Sequence, residues 1–199
     1  NSEGTKMYFS RNNYYESKKI NDSQGIMHVG IYSAELVNGK WDNVKPINLN
    51  NPNYIVYHPS LSEDGKKLYF ASDMPGGIGG TDIYVSNVRE DGTLDTPVNL
   101  GNVINTEGNE AFPFIYNDED LLYFSSDGHV GLGLMDVFAA VKDENNKIVN
   151  VINLVNLLIA EKMILLTTYQ KMVLMALYLQ IEKAEKVVMI FMLLLEFHH

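Results

Sequence analysis

The chain has 199 residues, a formal net charge of −10 at pH 7 and no cysteine. The negative charge argues against a nucleic-acid partner, because phosphate binding needs a basic face. The lack of cysteine excludes disulfides, thiolate metal sites and thiol chemistry. Tyrosine and phenylalanine are abundant, with 12 and 8 residues, which favours a β-rich core.

Three copies of one strand pattern run through residues 1–154. In each copy a polar turn precedes a first strand with adjacent Tyr and Phe, a second strand follows, and a third element ends in Asn-Leu. We interpret the repeated apolar side chains as packing between copies rather than as a ligand cage. The repeated positions are Tyr8, Phe9, Tyr69, Phe70, Ile83, Tyr84, Tyr123, Phe124, Val137 and Phe138.

We place the three copies at residues 1–57, 58–110 and 111–154. Each copy holds three or four short strands, which is the size of one propeller blade. One such sheet cannot bury both of its faces alone, so the copies must stack. The sequence therefore predicts an all-β fold, a partial β-propeller of about three antiparallel blades. A polar, Tyr-rich insertion at residues 13–29 is either a specific contact loop or a disordered surface loop.

The second copy carries a family resemblance. Its residues 58–85, HPSLSEDGKKLYFASDMPGGIGGTDIYV, resemble a PD40 (WD40-like, TolB-type) β-propeller repeat. In particular they are similar to the repeat of Bacteroidetes envelope proteins that also carry an OmpA-like domain, including PorE-like proteins. The third copy shares the resemblance, and the first is weaker because Gly30 stands where the others have Asp82 and Asp136. The chain begins inside its first copy, so we expect the natural N-terminus to lie upstream.

The resemblance implies a non-catalytic interaction scaffold of the Gram-negative cell envelope, periplasmic and associated with the outer membrane. It implies a protein or peptide partner, no nucleic acid and only indirect contact with the membrane. The alternative is an accessory propeller domain of a prolyl-oligopeptidase-like hydrolase, because propellers of this family also gate such enzymes. A neighbouring OmpA-like domain in the gene would favour the first function, and a neighbouring α/β-hydrolase domain the second.

Four aspartates are candidates for a binding site. Asp73 and Asp82 flank the Gly-rich run at residues 76–80, which we predict to be a flexible bend, and Asp127 and Asp136 repeat their nine-residue spacing. They could hold a cation or frame an anion-binding nest. We favour a turn device, since short Asp side chains accept hydrogen bonds from local N–H groups and the feature repeats with the blade.

No sequence pattern points to catalysis or to a cofactor. The chain has no G-x-S-x-G elbow, no P-loop and no dinucleotide fingerprint. His28, His58 and His129 are isolated from one another, without the spacing of a zinc site. We therefore expect a protein that is not an enzyme, with no cofactor and no metal.

The composition changes abruptly after Leu154. Residues 155–199 contain no Gly, Pro or Asp and are rich in Leu, Ile, Met and Val. We interpret this apolar tail as a fourth blade read in a shifted frame. Restoring one base after the Leu154 codon forces Asp or Gly, as the repeat requires, directly after four methionines: Met163, Met172, Met175 and Met189. The alternative is a genuine apolar tail. In either case the residues as written favour helix, and the nucleotide sequence decides between the two readings.

Overall fold

The computed structural model describes residues 1, 3–15, 18–116, 121–145 and 147–154. Contacts within the chain divide it into two compact units, Asn1–Val155 and Asn156–His199. Both predictions for the tail, helix as written and a fourth blade in a shifted frame, lie outside the described residues. Within those residues, no helix has the length and apolar character needed to cross a membrane.

Short strands separated by Gly, Asp and Asn turns make up the described part of the chain. Thirteen strands form there: β1 Lys6–Asn12, β2 Tyr14–Tyr15, β3 Lys18–Lys19, β4 Val29–Val37, β5 Lys40–Pro46, β6 Val56–Leu61, β7 Lys67–Ser72, β8 Asp82–Asn87, β9 Val98–Asn99, β10 Glu110–Tyr116, β11 Leu121–Ser126, β12 Asp136–Lys142 and β13 Ile148–Asn153.

Three antiparallel sheets follow one another along the chain, and we call them blades 1, 2 and 3. Their strand orders are β1-β4-β5, β6-β7-β8-β9 and β10-β11-β12-β13. Strands β2 and β3 form a separate hairpin within the insertion at residues 13–29. The predicted all-β fold, a partial propeller of three antiparallel blades, is confirmed for the described residues.

Blades 2 and 3 begin slightly earlier than the copies drawn from the sequence. Strand β6 starts at Val56 rather than at residue 58, and β10 starts at Glu110 rather than at residue 111. The reason is that each strand contains a proline, Pro59 or Pro113, at a β-bulge where the pairing register shifts. A proline in a strand looks like a strand boundary in sequence, because it removes a ladder hydrogen bond.

The repeated aromatic residues occupy equivalent places in the three blades. Phe9 pairs with Tyr32, Phe70 with Tyr84 and Phe124 with Phe138, in each case between the strand that carries the adjacent Tyr and Phe and the next strand of the same blade. Their ring centroids are 6.2, 6.0 and 5.8 Å apart, and all three pairs are stacked. The three copies therefore share one local structure as well as one sequence pattern.

Blade 2 is buried on both faces because its neighbours cover it. Successive side chains of a strand point to opposite faces, and those of β7 enter two different cores. Leu68 and Phe70 pack with Ile31 of blade 1, whereas Tyr69 and Ala71 pack with Phe124 of blade 3. Burying one such aromatic side chain stabilises the fold by about 1.5–3 kcal/mol. The stability of each blade therefore depends on its neighbours.

Candidate functional site

The first strands of blades 2 and 3, β6 and β10, contact each other, and we call them the inner strands. Each has a residue–proline pair at its bulge, His58-Pro59 and Phe112-Pro113. His58 and Phe112 both have left-handed backbone conformations, with φ of 52° and 49°. Such a conformation costs a non-glycine residue about 1–2 kcal/mol and persists where the surrounding structure imposes it.

An aromatic stack links the two bulges. The His58 ring lies 3.9 Å from the Tyr57 ring and 3.7 Å from the Phe112 ring, centroid to centroid. The Phe112 N–H donates to His58 Nδ1 at 3.4 Å, and the His58 N–H donates to Ser10 Oγ at 2.8 Å. Burial lowers the pKa of His58 to about 4, so the imidazole is neutral at pH 7 and its Nδ1 can accept. Phe112 remains 47% exposed and presents an apolar surface beside the stack.

Asp73 and Asp127 each fasten the start of an inner strand. The Ile55 N–H donates to Asp73 at 2.6 Å, and the Asn109 N–H donates to Asp127 at 2.6 Å. The Asn109 side chain adds a second hydrogen bond to Asp127 at 2.9 Å. These bonds from the side chain and backbone of Asn109 lower the pKa of Asp127.

Asp82 and Asp136 are buried and hold the loops that precede them. Asp82 accepts from the Ile78 N–H at 2.5 Å and from the Asn99 side chain at 2.8 Å. Asp136 accepts from the Leu132 N–H at 2.5 Å. The candidate aspartates thus use separate donors. No cluster of three or more His, Asp or Glu side chains suited to a metal ion occurs among the described residues.

The Gly-rich loop of blade 2 is closely packed, although the sequence suggested a flexible bend. A Cβ atom on Gly79 would lie 2.1 Å from the Thr106 carbonyl oxygen, and one on Gly128 would lie 1.8 Å from Thr106 Oγ1. The Gly80 N–H donates to the Gly108 carbonyl at 2.7 Å. Thr106, in the connection from blade 2 to blade 3, therefore lies so close to the two glycine loops that a side chain at Gly79 or Gly128 would clash with it.

The corresponding loop of blade 3 exposes large apolar side chains, and we call residues 129–135 the apolar loop. Val130 is 92% exposed, Leu132 62% and Leu134 93%. These exposed apolar side chains lie close together in the chain, so the loop is a candidate contact surface.

Two asparagines, the partly exposed Asn50 and the buried Asn105, each bind the backbone of one residue in a way that the sequence did not reveal. Asn50 accepts from the Ile31 N–H at 2.9 Å and donates to the Ile31 carbonyl at 2.7 Å. Asn105 does the same for Ile83, at 2.7 and 3.0 Å. We call this arrangement the asparagine clamp. Its sequence signal is weak, because Asn50 directly follows the Asn-Leu pair of its blade and Asn105 comes five residues after Leu100.

A groove of about 760 Å³ lies beside β1 and the inner strands. It is lined by Lys6, Met7 and Tyr8 on one side, and by residues 59–63 and 114–116 on the other. The groove and the apolar loop are the two candidate contact surfaces of the described residues.

No family model and no curated protein sequence matches the chain. Among solved structures, the backbone is similar to that of TolB from Acinetobacter baumannii, with 19% identity over 77% of this chain and 30% of that chain and a TM-score of 0.44. A puromycin hydrolase is similar at 17% identity over 76% and 21% of the two chains, with a TM-score of 0.47. An α-L-arabinofuranosidase from Lactobacillus brevis is similar at 16% identity over 70% and 46%, with a TM-score of 0.48. The chain thus spans between 21% and 46% of the length of these proteins.

Proposed function

We propose that the protein is a non-catalytic interaction module of the Gram-negative cell envelope, of the PD40 type found in OmpA-family and PorE-like proteins. It acts in the periplasm, beside the outer membrane, and binds a protein or a peptide. The motif HPSLSEDGKKLYFASDMPGGIGGTDIYV supports the family and the location. The groove and the apolar loop of the described residues support a binding role.

One observation carries the binding role. In the apolar loop, Val130, Leu132 and Leu134 are between 62% and 93% exposed. Removing apolar surface from water is worth about 25 cal/mol per Å², so a partner that covers these side chains gains affinity. Rigid strands with exposed loops are the usual architecture of a recognition scaffold.

The test is cross-linking from two exposed positions in living cells. A photo-reactive residue replaces Leu134 in the apolar loop or, as the matched control, Val98, which is 62% exposed on strand β9. We expect a discrete cross-linked protein from position 134 only. The same products from both positions, or none from position 134, would contradict the proposal.

A second measurement separates this function from that of a hydrolase's accessory domain. A fluorophosphonate probe labels the nucleophilic serine of prolyl-oligopeptidase-like enzymes. The intact gene product should resist labelling if it is a scaffold. A labelled serine in that product would replace the scaffold proposal with the hydrolase alternative.

A further inference from the structure

Two hydrogen bonds link the inner strands of blades 2 and 3, and each runs from the backbone of β10 to a side chain of β6. The Phe112 N–H donates to His58 Nδ1 at 3.4 Å, and the Ile115 N–H donates to Ser60 Oγ at 3.1 Å. Both blades are four-stranded sheets in the described residues. Of the two acceptors, only the imidazole gains a proton in mild acid, so the two links respond differently to pH.

A proton on His58 removes the first link. An imidazole nitrogen accepts a hydrogen bond only while it is unprotonated, and both ring nitrogens of the charged form are donors. Protonation at Nδ1 therefore places an N–H group against the Phe112 N–H, and the attraction between them is lost.

Backbone strain at the two bulges makes this small contact important. His58 and Phe112 have left-handed backbones, with φ of 52° and 49°, and such conformations persist only where the surrounding structure imposes them. The stack of the two rings, 3.7 Å apart, and the hydrogen bond to Nδ1 are contacts that hold Phe112 in place. Without the hydrogen bond, the Phe112 bulge gains strain energy by relaxing.

The surroundings do not compensate a charge on His58. The titratable side chains nearest in the fold belong to β6 itself, to strands packed against it and to the loops beside it: Tyr57, Arg11, Asp73, Glu110 and Asp127. None of them forms an ion pair with His58 in the part of the chain that the structure describes. Burial accordingly lowers the pKa of His58 to about 4. The closed contact thus prefers the neutral ring, and the opened contact takes up a proton more readily, so acid favours opening.

We propose that His58 is a proton-sensitive link between blades 2 and 3, whose protonation releases the Phe112 bulge while the Ser60 link keeps the inner strands joined. The inference goes beyond the proposed binding function and does not depend on it. Release of the bulge changes the surface that the inner strands form, so any contact made on that surface becomes sensitive to pH.

The experiment compares the full chain at pH 7 and at pH 3.5 by nuclear magnetic resonance, on either side of the pH at which a buried histidine of this kind titrates. We expect the cross-peaks between the His58 and Phe112 rings to be lost at the lower pH. The protection of the Phe112 amide against hydrogen exchange, corrected for the intrinsic rate at each pH, should fall about fivefold, after allowance for solvent screening. Protection of the Ile115 amide and the cross-peak between Phe70 and Tyr84 should remain.

Two variants of His58 form a matched pair. In His58→Asn the side-chain oxygen takes the place of Nδ1 as an acceptor that does not titrate, and asparagine tolerates the left-handed backbone. Its Phe112 amide should be equally protected at both pH values. His58→Phe keeps a ring but has no acceptor, so its Phe112 amide should be weakly protected at both. The readout is the ratio of protection at the two pH values, which a uniform loss of stability does not change.

Three results would overturn the inference. Ring cross-peaks that persist while the His58 carbon shifts report a charged ring would mean that cation–π attraction to the neighbouring rings outweighs the lost hydrogen bond. Loss of the Phe70–Tyr84 cross-peak at the same pH would mean that the whole fold opens rather than the bulge. A fivefold fall in His58→Asn as well would assign the effect to another titrating group.

Discussion

Replacing Asn105 with alanine should destabilise the protein strongly, because this buried side chain makes three hydrogen bonds. Asn105 is 1% exposed. It accepts from the Ile83 N–H at 2.7 Å and donates to the Ile83 carbonyl at 3.0 Å and to Asn99 Oδ1 at 2.8 Å. In the variant the Ile83 carbonyl keeps the Leu100 N–H at 3.1 Å, but the Ile83 N–H loses its acceptor.

The expected loss follows from these contacts. A buried donor left without a partner costs about 1–3 kcal/mol, and the lost hydrogen bonds add about 1 kcal/mol. We therefore expect Asn105→Ala to lower the free energy of unfolding by about 2–4 kcal/mol. Asn50→Ala should cost less, about 1–2 kcal/mol, since Asn50 is partly exposed and water can replace it.

Urea unfolding followed by circular dichroism measures this loss. The matched control is Asn102→Ala, which removes an exposed asparagine from the same connection and should change the stability by no more than about 0.5 kcal/mol. The fluorescence of Trp41 in blade 1 provides a second probe of the same transition. If Asn105→Ala were no more destabilising than Asn102→Ala, the asparagine clamp would not hold the blade together.

Three further changes test other contacts. Gly79→Ala should destabilise the protein by about 3 kcal/mol or more in urea unfolding, because the added Cβ would lie 2.1 Å from the Thr106 carbonyl oxygen. A loss below about 1 kcal/mol would mean that the Gly-rich loop does not contact the connection to blade 3. The pKa of His58 is lowered to about 4 in the folded protein, so the unfolded chain takes up a proton first and stability falls as the pH drops from about 6.5 to 4. His58→Phe removes this dependence. When the pH falls from 7 to 4, the free energy of unfolding of the variant should therefore rise by about 1 kcal/mol relative to that of the wild type, after allowance for solvent screening. Parallel pH profiles of the two proteins would refute the buried neutral histidine. Glu110→Gln should lower the free energy of unfolding by about 1–3 kcal/mol, measured by thermal unfolding, because the buried carboxylate accepts from the Thr106 N–H and hydroxyl and from the Ser126 hydroxyl. An unchanged melting temperature would show that the amide satisfies the same donors.

The repeat was predictable because its signals are local. Alternation of Tyr69 and Phe70 within a strand, a polar turn before it and an Asp-Ile-Tyr strand after it need only neighbouring residues to be recognised. The pairing of Phe70 with Tyr84 then follows from the turn that joins their strands. Stacking of blades also follows, because a single sheet with apolar side chains on both faces cannot be stable alone.

The candidate surfaces depend on contacts between blades, which the sequence did not display. His58 and Phe112 are 54 residues apart, and each looked like an unremarkable residue before a proline. The Gly-rich loop resembled a flexible bend because Thr106, the residue that requires its glycines, belongs to the connection to the next blade. The asparagine clamp was hidden because the number of residues between the Asn-Leu pair and the clamp differs between blades 1 and 2.

The central claim is that three copies of one antiparallel unit share the same internal structure. Nuclear Overhauser contacts between aromatic rings test it directly, in protein labelled selectively at Phe and Tyr. The account predicts cross-peaks for Phe9 with Tyr32, Phe70 with Tyr84 and Phe124 with Phe138, whose ring centroids are 5.8–6.2 Å apart. Cross-peaks in one copy without their counterparts in the other two would contradict it.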